Sequence, residues 1–113
     1  MDNEKMNVDK ISEHWIKTSD NDFQTMINLF DSKDNHWALF MGHLVIEKLL
    51  KGKIVKDKCQ HARFTHDLRK LNKTGNVELD NEMIKWLDTI TTFNLNAWIE
   101  KIKSLRSWIK TKL

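Results

Sequence analysis

Two stretches of the chain carry residue types from which a chemical site could be built. GHLVIEKLLKGK (42–53) places His43, Glu47 and Lys51 at i, i+4 and i+8, so on a helix they share one face, with Lys48 at its edge. Glu47 ahead of Lys51 by four residues is the favourable order for a helical ion pair, which adds a few tenths of a kcal/mol. A solvated, ion-paired surface accounts for that pattern by itself. The functional alternative makes the histidine and the lysines donors to a phosphate-bearing ligand or an acidic partner. RFTHDL (63–68) then gathers Arg63, His66 and Asp67 within six positions. Histidine titrates near neutrality and can move protons, but no nucleophile lies beside His66 in sequence. Thr65 has the chemistry of a helix N-cap, and Asp67 would then fall in the first turn, where the helix dipole favours an acid. The hexapeptide is therefore expected to start a helix, capped by Thr65.

Metal chemistry is poorly supported. His43 and Glu47 lack a third local ligand, and Cys59, His61 and His66 lack the spacing of a standard zinc site, so no metal is expected. The tryptophans Trp15, Trp37, Trp86, Trp98 and Trp108 mostly fall on helical stripes and read as core. One or two of them could reach a dimer surface, where tryptophan is favoured.

The elements that must position these residues read as helices. Proline is absent and glycine occurs three times in 113 residues, so little interrupts a helix or marks a tight hairpin. Ile11, Trp15, Phe23, Met26, Ile27 and Phe30 define a first helix over about 8–32, with Ser19 and Asp20 as a possible bend. DSKDN (31–35) is a turn, with Asp34 or Asn35 capping a second helix over about 36–56. In that helix Gly42 is expected to permit close packing, since a helical glycine otherwise costs around 1 kcal/mol relative to alanine. A short third helix follows over about 66–73, then a fourth from Asp80 through Phe93, and a last over about 97–112. The expected fold is a single all-α domain over 1–113, an antiparallel up-and-down bundle of four to five helices.

Charge and composition narrow the function classes. The net charge is +3, but residues 1–35 carry eight acids against four lysines, leaving fifteen bases against eight acids in the remainder. Such polarity can supply a basic face for phosphate or two complementary faces for an oligomer. No apolar run approaches the roughly 20 residues that span a bilayer, and the first ten residues have no apolar signal core. The single cysteine, Cys59, allows no internal disulfide and fits a reducing cytoplasm.

HWALFMGHLVIEKLLKGKIV followed by FTHDLRKL resembles the HEPN domains, small prokaryotic helical bundles. Their second helix commonly ends in an E-K-x-x-K run, here Glu47, Lys48 and Lys51, and a T-H-D-L box, here Thr65 to Leu68, commonly opens the next helix. Trp15, Ser19, Asp22 and Phe23, and the later LDTITTFNLNA (87–97), match the same pattern. The resemblance implies a bundle that often dimerises, often encoded beside a minimal nucleotidyltransferase as its toxin or partner. It implies no cofactor. Some members are metal-independent ribonucleases with an R-x4-6-H motif. Here Arg63 and His66 are separated by only two residues, and no histidine follows Arg69 or Arg106. A second departure falls at Ala97, which runs directly into Trp98 where relatives carry an arginine-tyrosine-led stretch.

The leading expectation is a cytoplasmic, homodimeric binding subunit of a two-component nucleotidyltransferase or toxin–antitoxin system, with no catalytic residue and no membrane partner. Glu47, Lys48, Lys51, His66 and Asp67 would line a basic groove for nucleotide, RNA or partner protein, with His43 and Arg63 as accessories. The alternatives are a ribonuclease toxin with an incomplete motif, and a helical adaptor with no nucleotide role.

Overall fold

The computed structural model describes residues 7–62, 64–76, 85 and 95–113, and every regular element among them is helical. Helix α1 spans Val8–Asp31, α2 Asn35–Lys58, α3 Leu68–Gly75 and α4 Leu95–Lys112. Of the helix expected between Asp80 and Phe93, Lys85 alone is among the described residues; Trp86 and Arg63 lie outside them.

Helix ends follow local chemistry. The Asn7 side chain accepts a hydrogen bond from the Lys10 backbone N–H at 3.1 Å and starts α1. Lys33, in the left-handed region at φ 63°, turns the chain between α1 and α2, and Asp34 holds the N-cap position of α2. Cys59 (φ 53°) and Asn76 (φ 49°) take the same left-handed conformation to end α2 and α3. The bend anticipated at Ser19 and Asp20 does not break the helix: α1 runs as one element through both.

Ser19 has a different role. Its hydroxyl donates to the Val45 carbonyl at 2.8 Å, and one turn-pair earlier Ser12 donates to the Gly52 carbonyl at 2.9 Å. These two bonds and the approach of Met26 to Gly42 fix an antiparallel α1–α2 hairpin. The line of α1 that faces α2 most fully is therefore Ser12, Ser19 and Met26, at seven-residue spacing. The larger Phe23 and Ile27 flank it, half-buried.

Helix α2 is the centre of the bundle, with α1, α3 and α4 each packed on it. Its residues from Leu49 to Val55 are all buried, which requires neighbours on every side. Helix α4 runs parallel to α2: Trp98 lies against Gly42, and at the other end the Lys56 ammonium donates to the Leu113 carbonyl at 2.7 Å. Asp20 on α1 ties α4 from the opposite flank, accepting from Arg106 at 3.0 Å and Lys110 at 2.7 Å. These directions make an all-α up-and-down bundle. Its core is aliphatic, with Ile46, Leu49, Leu50, Leu71, Ile102 and Ile109 among the fully buried side chains. Among the described residues no helix is long and apolar enough to cross a membrane.

Candidate functional site

Glu47 is the hub of the site. It sits mid-way along α2 and is 3% exposed, and burying a carboxylate is costly unless it is paired and hydrogen-bonded. Both of its oxygens are engaged. Oε2 accepts from the Lys51 ammonium at 3.0 Å, one turn onward on the same helix. Oε1 accepts from His66 Nδ1 at 2.9 Å, across the gap to the segment leading into α3. His43 Nε2 lies 3.6 Å from the same Oε1 and 3.0 Å from the His66 backbone carbonyl. Both neighbours of that nitrogen are acceptors, so His43 Nε2 carries the proton and donates. His43, Glu47 and His66 therefore latch the α3 lead-in onto α2.

The latch orients His66. With Nδ1–H given to the carboxylate, Nε2 is the ring's open lone pair, and the side chain is 75% exposed. Among the described residues Nε2 has no protein partner. A carboxylate that fixes one imidazole nitrogen sets the tautomer and aims the other nitrogen.

Lys51, which the sequence places either on a solvated face or in a basic groove, is buried, at 6% exposure. Because α2 is central, even its polar flank is covered, and Trp15 of α1 lies over the ammonium with its ring centroid 5.3 Å away. Lys48 leaves the cluster altogether: its ammonium pairs with Asp22 of α1 at 2.6 Å. Lys48 and Lys51 are thus each matched to a carboxylate, and the basic groove they were expected to line is neutralised at those two positions. Asp67 is committed elsewhere as well. It is the N-cap of α3, and its Oδ1 accepts from the backbone N–H groups of Arg69 at 3.0 Å and Lys70 at 3.2 Å. Thr65, expected as that cap, sits two residues too early; its hydroxyl accepts from the Asp67 N–H at 3.1 Å and shapes the turn before the helix.

An open cleft of about 520 Å³ adjoins the latch, lined by Leu39, Phe40, His43, Leu44, Glu47 and His66. Its walls are apolar and its polar groups are those of the latch. Phe40 and Leu44 join the site from the apolar side of α2, where an amphipathic pattern by itself reads as core. Their spacing held the signal, since 40, 43, 44 and 47 stand at i, i+3, i+4 and i+7 on one face. Phe40 is 51% exposed and Trp37, stacked edge-on to it at 5.7 Å, is 58% exposed. The core assignment thus holds for Trp98, at 2% exposure, and fails for Trp37. Among the described residues no three His, Cys, Asp or Glu side chains assemble as a metal-binding group.

Residues 12–108 match the HEPN domain family. The chain is a HEPN domain. No curated protein and no solved structure matches it. Within this HEPN domain the T-H-D-L box acquires a physical meaning: Thr65 turns the chain, His66 docks on Glu47, Asp67 caps, and Leu68 enters the core. The departure at Ala97 and Trp98 falls inside α4, which continues unbroken through both.

Proposed function

We propose that this HEPN domain is the binding subunit of a two-component nucleotidyltransferase or toxin–antitoxin system, and that its contact site is the cleft beside the Glu47–His66 latch. The observation that carries the reading is the combination in one place of apolar walls, exposed Phe40 and Trp37, and a fixed imidazole with an outward nitrogen. Apolar area with a few convergent polar groups is what a recognition site needs: the first supplies affinity and the second sets orientation. Exposed aromatic residues are enriched where partners dock. The neutralisation of Lys48 and Lys51 favours a partner protein at this face over a phosphate-rich ligand.

The test is calorimetric titration of the HEPN domain with the product of the neighbouring reading frame, which this reading expects to be a minimal nucleotidyltransferase. Phe40→Asp and His66→Ala are the diagnostic variants. The reading requires that the parent binds and that Phe40→Asp weakens binding at least about tenfold, the scale of one interface hot spot. Parent-like affinity in both variants sinks it.

One observation favours a second reading. Glu47 holding His66 Nδ1 leaves Nε2 placed as a general base, as a ribonuclease would need. Incubation with total RNA, alone and with the nucleotidyltransferase, decides it: cleavage by the parent that His66→Ala abolishes supports catalysis.

A further inference from the structure

Among the described side chains that line the α2 cleft, the latch leaves acceptors and no free donor. A neutral imidazole carries one N–H and one lone pair. His66 gives its N–H to Glu47 Oε1 at 2.9 Å, and His43 gives its N–H to the His66 carbonyl at 3.0 Å. Each ring keeps a lone pair, at His66 Nε2 and His43 Nδ1. Nε2 is on the more open ring, since the His66 side chain is 75% exposed against 30% for His43.

This pattern selects what can enter. An anion would meet lone pairs, with Lys51 and Lys48 already matched to Glu47 and Asp22. A cation would find the Glu47 carboxylate buried and shared between Lys51 and His66. An aliphatic segment would fill the apolar walls but cover Nε2 without giving it a partner, which weakens binding. A serine or threonine hydroxyl would satisfy Nε2 yet bring little area to a cleft of about 520 Å³. A phenol or an indole supplies both, as a flat apolar body with one O–H or N–H at its edge. The surroundings suit a ring. Phe40 and Trp37 meet edge-on at 5.7 Å, both more than half exposed, and the Phe64 ring centroid stands 6.5 Å from that of His66.

We propose that the cleft recognises an aromatic side chain with one neutral hydrogen-bond donor, a tyrosine or tryptophan of a partner protein. His66 Nε2 accepts from its O–H or N–H, and its ring lies against Phe40 and Leu44. This assignment rests on the cleft being the contact site, and it names the group that enters.

Small probes test that chemistry without the partner. NMR titration at about pH 8, above the roughly 6.5 of a free imidazole, compares p-cresol with p-methylanisole and skatole with N-methylskatole. Methylation removes the donor and keeps the ring. In at least one pair, which identifies the ring, the donor-bearing member should bind about tenfold tighter, as expected when covering Nε2 leaves it unsatisfied. The His66 Nε2 resonance should shift with that member and not with its methylated form. In His66→Phe, which keeps a ring and lacks the acceptor, the two members should bind alike, and Phe40→Ala should weaken both. Far-UV circular dichroism checks that each variant is folded. Benzoate and benzylamine, the anionic and cationic counterparts, should bind more weakly than the preferred donor. The proposal is overturned if both methylated probes bind as tightly as their parents, if the donor keeps its advantage in folded His66→Phe, or if benzoate or benzylamine binds tightest. Should the probe order hold while the product of the neighbouring reading frame fails to bind, that partner falls and the chemistry of the cleft stands.

Discussion

Removing the Glu47 carboxylate separates the buried part of the latch from the exposed part. In Glu47→Ala the Lys51 ammonium, 8% exposed at its side chain, loses the carboxylate 3.0 Å away and keeps, among the described residues, the face of the Trp15 ring. Breaking a buried pair by deleting one partner costs about 3–5 kcal/mol, because a charge is left uncompensated. The His66 side of the hub adds little, since a hydrogen bond to a largely exposed partner contributes about 1 kcal/mol or less. A loss of about 4 kcal/mol is therefore expected. With a urea dependence of about 2 kcal/mol per molar, the denaturation midpoint followed by circular dichroism should fall by about 2 M. Replacing both partners, as Glu47→Leu with Lys51→Met, removes the charges together and should restore most of that loss, because apolar replacement of a buried pair is often neutral. A single variant within about 0.5 M of the parent, or a double variant as unstable as the single, refutes the reasoning that burial makes this pair matter.

Asp67→Ala should destabilise the domain by about 1 kcal/mol through loss of the α3 cap, and Thr65→Ala by less; equal effects in the same urea titration would contradict the cap assignment. Gly42→Ala gains about 1 kcal/mol of helix propensity. It also places a Cβ 2.1 Å from the Trp98 ring, and overpacking costs about 1–3 kcal/mol, so a net loss and a changed near-UV tryptophan spectrum are expected. A raised midpoint would show that Trp98 moves without penalty. Partial burial raises the Asp20 carboxyl, but the hydrogen bonds and charges of Lys110 and Arg106 outweigh this and hold it below its ordinary value of 3.8. Its contribution is therefore present above that value and lost as pH falls through the lowered one. The stability difference between the parent and Asp20→Asn should be flat at neutral pH and shrink below about pH 4.

Helix positions were largely legible because each long helix carries its own apolar stripe and few breakers. The expected second helix, 36–56, and the observed Asn35–Lys58 differ only at the ends. What could not be read is which helix is surrounded. An i, i+4 glutamate–lysine pair looks the same on a surface helix and on a central one, so the sequence does not show that Lys51 is buried. The run from Leu49 to Val55, apolar on several sides, was the available sign of a central helix. The serines misled for a related reason. Ser19 reads as a possible bend and Ser12 carries no signal of its own, yet both occupy the closest line of contact because their hydroxyls reach α2 carbonyls. The cap slipped by two residues because Thr65 and Asp67 are both good caps, and only the docking of His66 on Glu47 decides between them.

The serine bonds also set an order of assembly. They are nested about the Lys33 turn, joining residues 26 and 40 positions apart, whereas Asp20 meets Arg106 across 86. Closing a loop of 86 rather than 26 residues costs about 1 kcal/mol more in chain entropy. The α1–α2 hairpin can thus zip outward from its turn and offer α4 a finished groove, with Gly42 as the slot into which Trp98 drops. Folding kinetics should carry that signature: substitutions at Ser19 slow folding, while those at Arg106 chiefly speed unfolding. The opposite pattern would mean that α4 helps to nucleate the bundle.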